Sequence, residues 1–451
     1  MYQLLVRTFA DGGTPKAVAD GTKESGIDST KMDGTGDLVG LRGKLPYLKD
    51  LGIDAIWMTP VFRAKSYHGY DTTDHFRIDP RLGDDDDFDD LVARARDRGL
   101  RVLLDGVFNH VGTDFGRYRA ALDGDAEAAG WFRGRPGRFA TFEGHGDLIA
   151  LRHDNPAVAD YVVEVMCHWL DRGADGWRLD AAYAVPAEFW DRVLPRVRAR
   201  HPQAWFVGEV IHGDYAQIVA STGFDAVTQY ELWKAIWSSL NDGNFHELDW
   251  ALTRHAEFLD SFVPQTFIGN HDVTRIASRL DNPEHVALAL VLLMTTGGVP
   301  TIYAGDEFGF RGVKEERAGG DDARQPVRLQ RGVDDPQRHP QRGAGEHAIA
   351  RGRRQVEPAQ VQVAQRVVQR GQQPEPDRET GRGGEALRAA PQRGRDAESI
   401  QRKAAQELRA PIPLRFADGP EQRADHRGQA GETTVQRLPR EQAVQLAVVV
   451  A

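Results

Sequence analysis

Short apolar runs alternate with longer amphipathic stretches from the start of the chain to about residue 310. A run of three to six apolar residues bounded by glycine and polar residues reads as a buried strand, and a stretch with apolar positions three and four apart reads as a helix. Eight strand candidates follow, at residues 3–6, 53–58, 102–107, 176–179, 205–207, 226–228, 266–268 and 299–303. Helices are expected between them. Asp37 precedes one over 38–51, the acidic run Asp84 to Asp87 precedes one over 88–98 that Gly99 ends, and a third covers 158–170. The acidic run reads as a solvated helix N-terminus rather than a cation site. Eight strand-then-helix repeats predict an α/β fold closed as a (β/α)8 TIM barrel.

The rhythm breaks in two places. Between 111 and 156 the chain is rich in Gly, Arg, Asp and aromatic residues (Trp131, Phe132, Phe142) with little period. A structureless loop of that length is unusual in a compact domain, so a short inserted subdomain after the third strand, walling the pocket, is expected. The barrel then comprises 1–110 and 157–323. From 324 to 451 Arg, Gln, Pro and Gly dominate, Phe416 is the sole aromatic and Lys403 the sole lysine. Such a segment has little apolar surface to bury. Three accounts of it stand: a natural disordered tail, an arginine-rich tail for nucleic acid, and a frame-shifted translation of an ordinary domain. The abrupt loss of aromatics and period favours the third, which would leave an inactive product with an unclosed barrel.

Charge and cysteine narrow the partners. The net charge is −10, with no basic field over the motif-bearing part, so neither nucleic acid nor membrane is expected as partner and a neutral ligand fits better. Cys167, the one cysteine, falls on the apolar face of its helix and reads as a core thiol. No apolar run nears the roughly 18 residues of a membrane span, and no leader precedes the first strand, so a cytoplasmic setting is expected.

Three acids carry the candidate chemistry: Asp180 in GWRLD, Glu209 in FVGEV and Asp272 in FIGNHD. Each follows an apolar run, at the strand-to-loop step where a barrel presents its functional side chains. Arg178 lies two residues before Asp180 and so on the same strand face, where it holds the carboxylate ionised and aimed. Two carboxylates in unlike environments suit glycosidic cleavage, one attacking the anomeric carbon and the other donating a proton.

With DGVFNH (105–110), GWRLDAA (176–182), GEV (208–210), GNHD (269–272), YHGYDTTDH (67–75) and VPTIYAGDEFG (299–309) in order, the chain through 323 resembles the α-amylase superfamily of glycoside hydrolases (glycoside hydrolase family 13 type). The resemblance implies a retaining double displacement on α-glucosidic bonds, with Asp180 as nucleophile, Glu209 as general acid/base and Asp272 as transition-state stabiliser. It also implies His110, Arg178 and His271 as sugar ligands, Tyr70 as stacking platform and Asp105 as support. An Asp71–Arg275 pair closing the far end of the pocket would favour maltooligosaccharides or related short α-glucans. The same covalent intermediate also allows transglycosylation or isomerisation as an alternative activity.

Departures matter. No cofactor is required by this chemistry, and the family's calcium is in question: the acidic loop reads Ser29, Lys31, Asp33, Gly34, Thr35, Gly36, Asp37, with a cation where a ligand belongs. Asn109 matches a ligand of the family's other calcium site, whereas Tyr183 and Ala184 replace the usual Lys-His. The C-terminal β-sandwich of the family has no recognisable counterpart in 324–451. Trp131 and Trp233 are candidates for outer sugar subsites.

Overall fold

The computed structural model describes residues 1–13 and 36–314. The loop at 29–35 and the tail 324–451 lie outside the described residues. The described part contains the barrel. Its strands are β1 (Tyr2–Leu4), β2 (Ala55–Met58), β3 (Arg101–Gly106), β4 (Gly176–Leu179), β5 (Trp205–Gly208), β6 (Ala226–Val227), β7 (Gln265–Phe267) and β8 (Val299–Tyr303). All are parallel, in the order β6-β5-β4-β3-β2-β1-β8-β7, and a parallel bridge from Thr228 to Gln265 closes the ring. All eight strand candidates are found, within a residue or two at most ends. The first is the exception in character: β1 stops at Leu4, and Val6–Phe9 turns into a short helix.

Period two sorts the strand side chains. Trp57, Leu103, Trp205, Val207, Ala226 and Val299 fill the barrel interior. Their sequence neighbours Ile56, Val102, Leu104 and Phe206, and Trp177 beside Arg178, face outward into the larger layer shared with the helices. The inward set continues along the same strands to Gln3, Asp105, Arg178 and Glu209. Alternation that buries Leu103 therefore places Asp105 one pleat higher on the same wall.

The helices follow their caps. Asp84 accepts from the Asp87 amide while Asp87 accepts from that of Asp84, a capping box that starts the helix Asp85–Arg96 with three acids against its positive end. The helix expected over 38–51 is two, Leu38–Gly43 and Leu45–Asp50, because Pro46 has no N–H to continue the ladder. Pro156–Asp171 runs longer than expected at both ends, with Cys167 buried and free. No described helix is long and apolar enough to cross a membrane.

The stretch 111–156 is ordered by its own pairings. His110–Gly112 pairs antiparallel with Leu148–Ala150, and the helices Gly116–Leu122 and Ala126–Ala129 lie between them in sequence. Phe132, Trp131 and Tyr118 pack within it, so Trp131 is buried at 2 % exposure and is no open sugar platform. Arg117 covers its ring.

Candidate active site

Arg178 is the hub of the site. It lies near the end of its strand, inside the barrel at 1 % exposure, and its guanidinium reaches three carboxylates from three strands. Nη1 donates to Asp105 Oδ1 at 2.9 Å and to Asp180 Oδ1 at 2.7 Å, while Nη2 lies 2.7 Å from Glu209 Oε1. The register produces this: Arg178 is level with Asp105 on β3 and with Val207 on β5, two residues before Glu209. One cation among three buried acids leaves an excess of negative charge, which a bound proton relieves.

Glu209 and Asp105 are the groups pushed toward holding that proton. Burial pushes the Glu209 carboxyl up to about 8; Arg178 opposes the rise, and the charges of Asp180 and Asp272 add to it. Asp105 is raised to about 7, again by burial first and against Arg178. Glu209 is further held by the Ala181 amide, which donates to Oε2 at 2.8 Å. That amide is aimed by an unusual backbone: Ala181 has φ 45° and ψ 37°, a left-handed conformation that costs a non-glycine residue about 1–3 kcal/mol. Asp105 is satisfied on its other oxygen by the Tyr70 hydroxyl at 3.0 Å and the Trp57 indole at 3.3 Å.

Asp272 stands on the loop after β7, its side chain 27 % exposed and so more open than Asp180 or Glu209. Its amide donates to Asn270 Oδ1 at 2.8 Å, and Asn270 Nδ2 donates to the Tyr230 hydroxyl at 2.9 Å. His271 is wired through the barrel. Gln3 Nε2 donates to its Nδ1 at 2.6 Å, which leaves the proton on Nε2, facing both the Tyr70 hydroxyl and Asp272 Oδ2. The Tyr70 ring stacks on His271 with centroids 5.4 Å apart.

His110 is buried beside Tyr70, with Nε2 3.1 Å from the Tyr70 carbonyl and Nδ1 3.2 Å from the Asn109 amide nitrogen. Burial lowers its pKa, so it is neutral with both nitrogens engaged. Phe142 of the 111–156 stretch stacks on its ring at 4.9 Å, and the next residue, Glu143, accepts from the Tyr183 hydroxyl at 2.8 Å.

One expectation is corrected. Asp71 and Arg275 do not pair. Asp71 accepts from Ser66, through its amide at 3.0 Å and its hydroxyl, and Arg275 is fully buried on Asp306 at 2.7 Å. Arg275 therefore faces protein, because the chain after β8 supplies a nearer carboxylate than Asp71, which lies just before the strand Thr72–Ile78. Asn109 is buried, with Nδ2 3.2 Å from His110 Nδ1, and among the described residues no group of three or more His, Cys, Asp or Glu side chains is disposed to hold a metal ion. Asp37, at the edge of the other expected loop, caps a helix and the Gly12 amide instead. Trp233 packs among Tyr230, Trp237 and Phe267.

Sequence reasoning missed Gln3, Tyr230 and Asp306 as parts of the site. Gln3 carried a signal, a polar residue inside an apolar strand at an inward position. Tyr230 lies three residues past β6, after Thr228 and Gln229, where no acid or histidine marks the strand end.

Comparison with known proteins places this arrangement. A family model described as "Alpha amylase, catalytic domain" matches residues 24–147 and 140–351. Neopullulanase 2 of Thermoactinomyces vulgaris is 33 % identical over 347 residues, covering 72 % of this chain and 58 % of that protein. A cyclomaltodextrinase of Geobacillus thermopakistaniensis is 34 % identical over 333 residues, covering 69 % and 56 %. The chain thus spans little more than half the length of these relatives. Among solved structures, a cyclic α-maltosyl-(1→6)-maltose hydrolase from Arthrobacter globiformis superposes with a TM-score of 0.63 at 27 % identity, over 71 % of this chain and 77 % of that one.

Proposed function

The chain belongs to the α-amylase family, and from that premise we propose that it hydrolyses α-glucosidic bonds in maltooligosaccharides or related short α-glucans, with retention and without a cofactor. The observation that carries the proposal is the unequal treatment of two acids by one guanidinium. Glu209, raised to about 8, keeps its proton at neutral pH, whereas Asp180 sits 2.7 Å from the Arg178 cation with no second hydrogen bond to its carboxylate. A protonated acid beside an ion-paired carboxylate is the pair that double displacement uses.

In this reading Asp180 attacks the anomeric carbon as Glu209 gives its proton to the departing glycosidic oxygen. The glycosyl ester on Asp180 forms as the sugar–oxygen bond breaks. Glu209, now a carboxylate, takes a proton from water, which attacks the same carbon and releases Asp180. Asp272, the most exposed of the three acids, faces the developing positive charge. The names of the two enzyme relatives above, neopullulanase and cyclomaltodextrinase, support α-glucan chemistry. The free, buried Cys167 agrees with a cytoplasmic setting, since no disulfide in the chain calls for an oxidising compartment.

The test is proton NMR of maltotriose digested by the 451-residue chain. Cleavage with the α-anomer formed first supports the proposal. The β-anomer, or no cleavage by folded protein, refutes it. Added glucose that diverts product into longer saccharides identifies transfer through the same intermediate.

A further inference from the structure

Arg275 and Asp306 form a buried ion pair that the mechanism above leaves unused. Arg275 lies three residues past Asp272 and is fully buried, with Nη1 2.7 Å from Asp306 Oδ1 and its guanidinium carbon 4.2 Å from the centre of the Tyr303 ring. Asp306 opens a short helical turn after β8, and its second oxygen lies against the loop after β7. A Cβ built on Gly269 would fall 2.7 Å from that oxygen, so the two loops touch where the Asn270-His271-Asp272 segment begins. The other end of the segment is fastened too. The Arg275 amide donates to the Gly312 carbonyl at 3.0 Å, and the Lys314 amide donates to Thr274 Oγ1 at 3.1 Å.

The pair is a poor source of stability. Taking two charges out of water costs several kcal/mol per ion, recovered only when the remaining donors and acceptors are satisfied. Here Arg275 Nε and Nη2 and Asp306 Oδ2 have no hydrogen-bond partner. What the pair does supply is a fixed separation between the loops after β7 and β8.

We propose that the Arg275–Asp306 pair is a positioning device that holds Asp272 at the reacting sugar, resting on the reading of Asp272 as the residue that faces the transition state. Asp272 is held on one side by Asn270 and His271, and the Arg275–Asp306 tie sets the other. Neither member touches substrate.

The experiment compares the full chain with the double variant Arg275→Met/Asp306→Asn and with Arg275→Lys. Readouts are kcat and KM on maltotriose, the thermal midpoint, and amide hydrogen exchange over residues 269–273. Because an uncharged pair replaces buried charges whose remaining polar atoms are unpartnered, the double variant should melt near the wild type. Its kcat should fall about 10–100-fold, the scale of a misplacement near 1 Å. KM should stay within about twofold and exchange over 269–273 should quicken. Arg275→Lys, with one charge but no planar fork, should fall between, and it carries the same readouts if the double variant does not fold. Unchanged kcat with unchanged exchange overturns the proposal, as does a rise in KM that accounts for the whole loss. Should the wild-type chain prove inactive on α-glucosides, the proposed function fails, while the exchange comparison still decides whether the pair positions the loop.

Discussion

Arg178→Met isolates the electrostatic core of the site. The guanidinium is 1 % exposed and is the counter-charge for Asp105, Asp180 and Glu209 at 2.9, 2.7 and 2.7 Å. Methionine fills similar volume without charge, so three carboxyls are left buried and uncompensated. Removing one partner of a buried pair costs about 3–5 kcal/mol, and with three acceptors the upper end applies. That is a large share of the roughly 5–15 kcal/mol by which domains are stable. The cost has a pH signature. Arg178 pulls the pKa values of Asp105 and Glu209 down, so without it both rise further in the fold. A carboxyl whose folded pKa exceeds its unfolded value, near 4, lends its stability below that value and loses it as pH climbs through the folded one. The deficit of the variant must therefore be small near pH 5 and grow through pH 8. Urea unfolding at pH 5.5 and 8.5, followed by circular dichroism, measures it. A deficit under about 1 kcal/mol at pH 8.5, or one equal at the two pH values, would refute the charge reasoning.

Further outcomes follow from the same geometry. The basic limb of kcat/KM should fall with an apparent pKa near 8, set by the proton on Glu209, and Glu209→Gln should abolish that limb while lowering kcat on unactivated oligosaccharides about 10²–10⁴-fold. Persistence of the limb in the variant would assign it elsewhere. Gly176→Ala places a Cβ 2.2 Å from the Trp205 carbonyl oxygen and should destabilise by about 1–3 kcal/mol in urea melts; an unchanged midpoint would contradict the packing. On the helix His285–Thr295, Leu288, Val291 and Met294 are 50, 48 and 47 % exposed on one side, and changing all three to Gln should reduce light scattering on warming without lowering the midpoint.

Much of the barrel was legible in the chain because buried parallel strands are short, apolar and regularly spaced. The eight runs found their strands, and strand-end position put Asp180 and Glu209 in the interior. Boundaries failed where backbone chemistry intervened, as at Pro46, which cut one helix into two. Arg275 shows a different failure. Spacing placed it next to Asp272, but its partner was misjudged because proximity between loops after different strands is not written in either loop. Trp131 was read as a surface candidate from its local composition, and the small pairings of the 111–156 stretch buried it.

The sequence by itself determined which side chains point inward. Period two along β3, β4 and β5 carries Asp105, Arg178 and Glu209 to one wall whatever the rest of the chain does. Only the tertiary structure decided what those side chains become. The Glu209 carboxyl is pushed up to about 8 by its burial and by the charges of Asp180 and Asp272, against the pull of Arg178, and Asp71 and Arg275 stay apart because Ser66 and Asp306 are nearer. Desolvation and charge separation are sums over neighbours distant in the chain, so no local pattern of residues contains them.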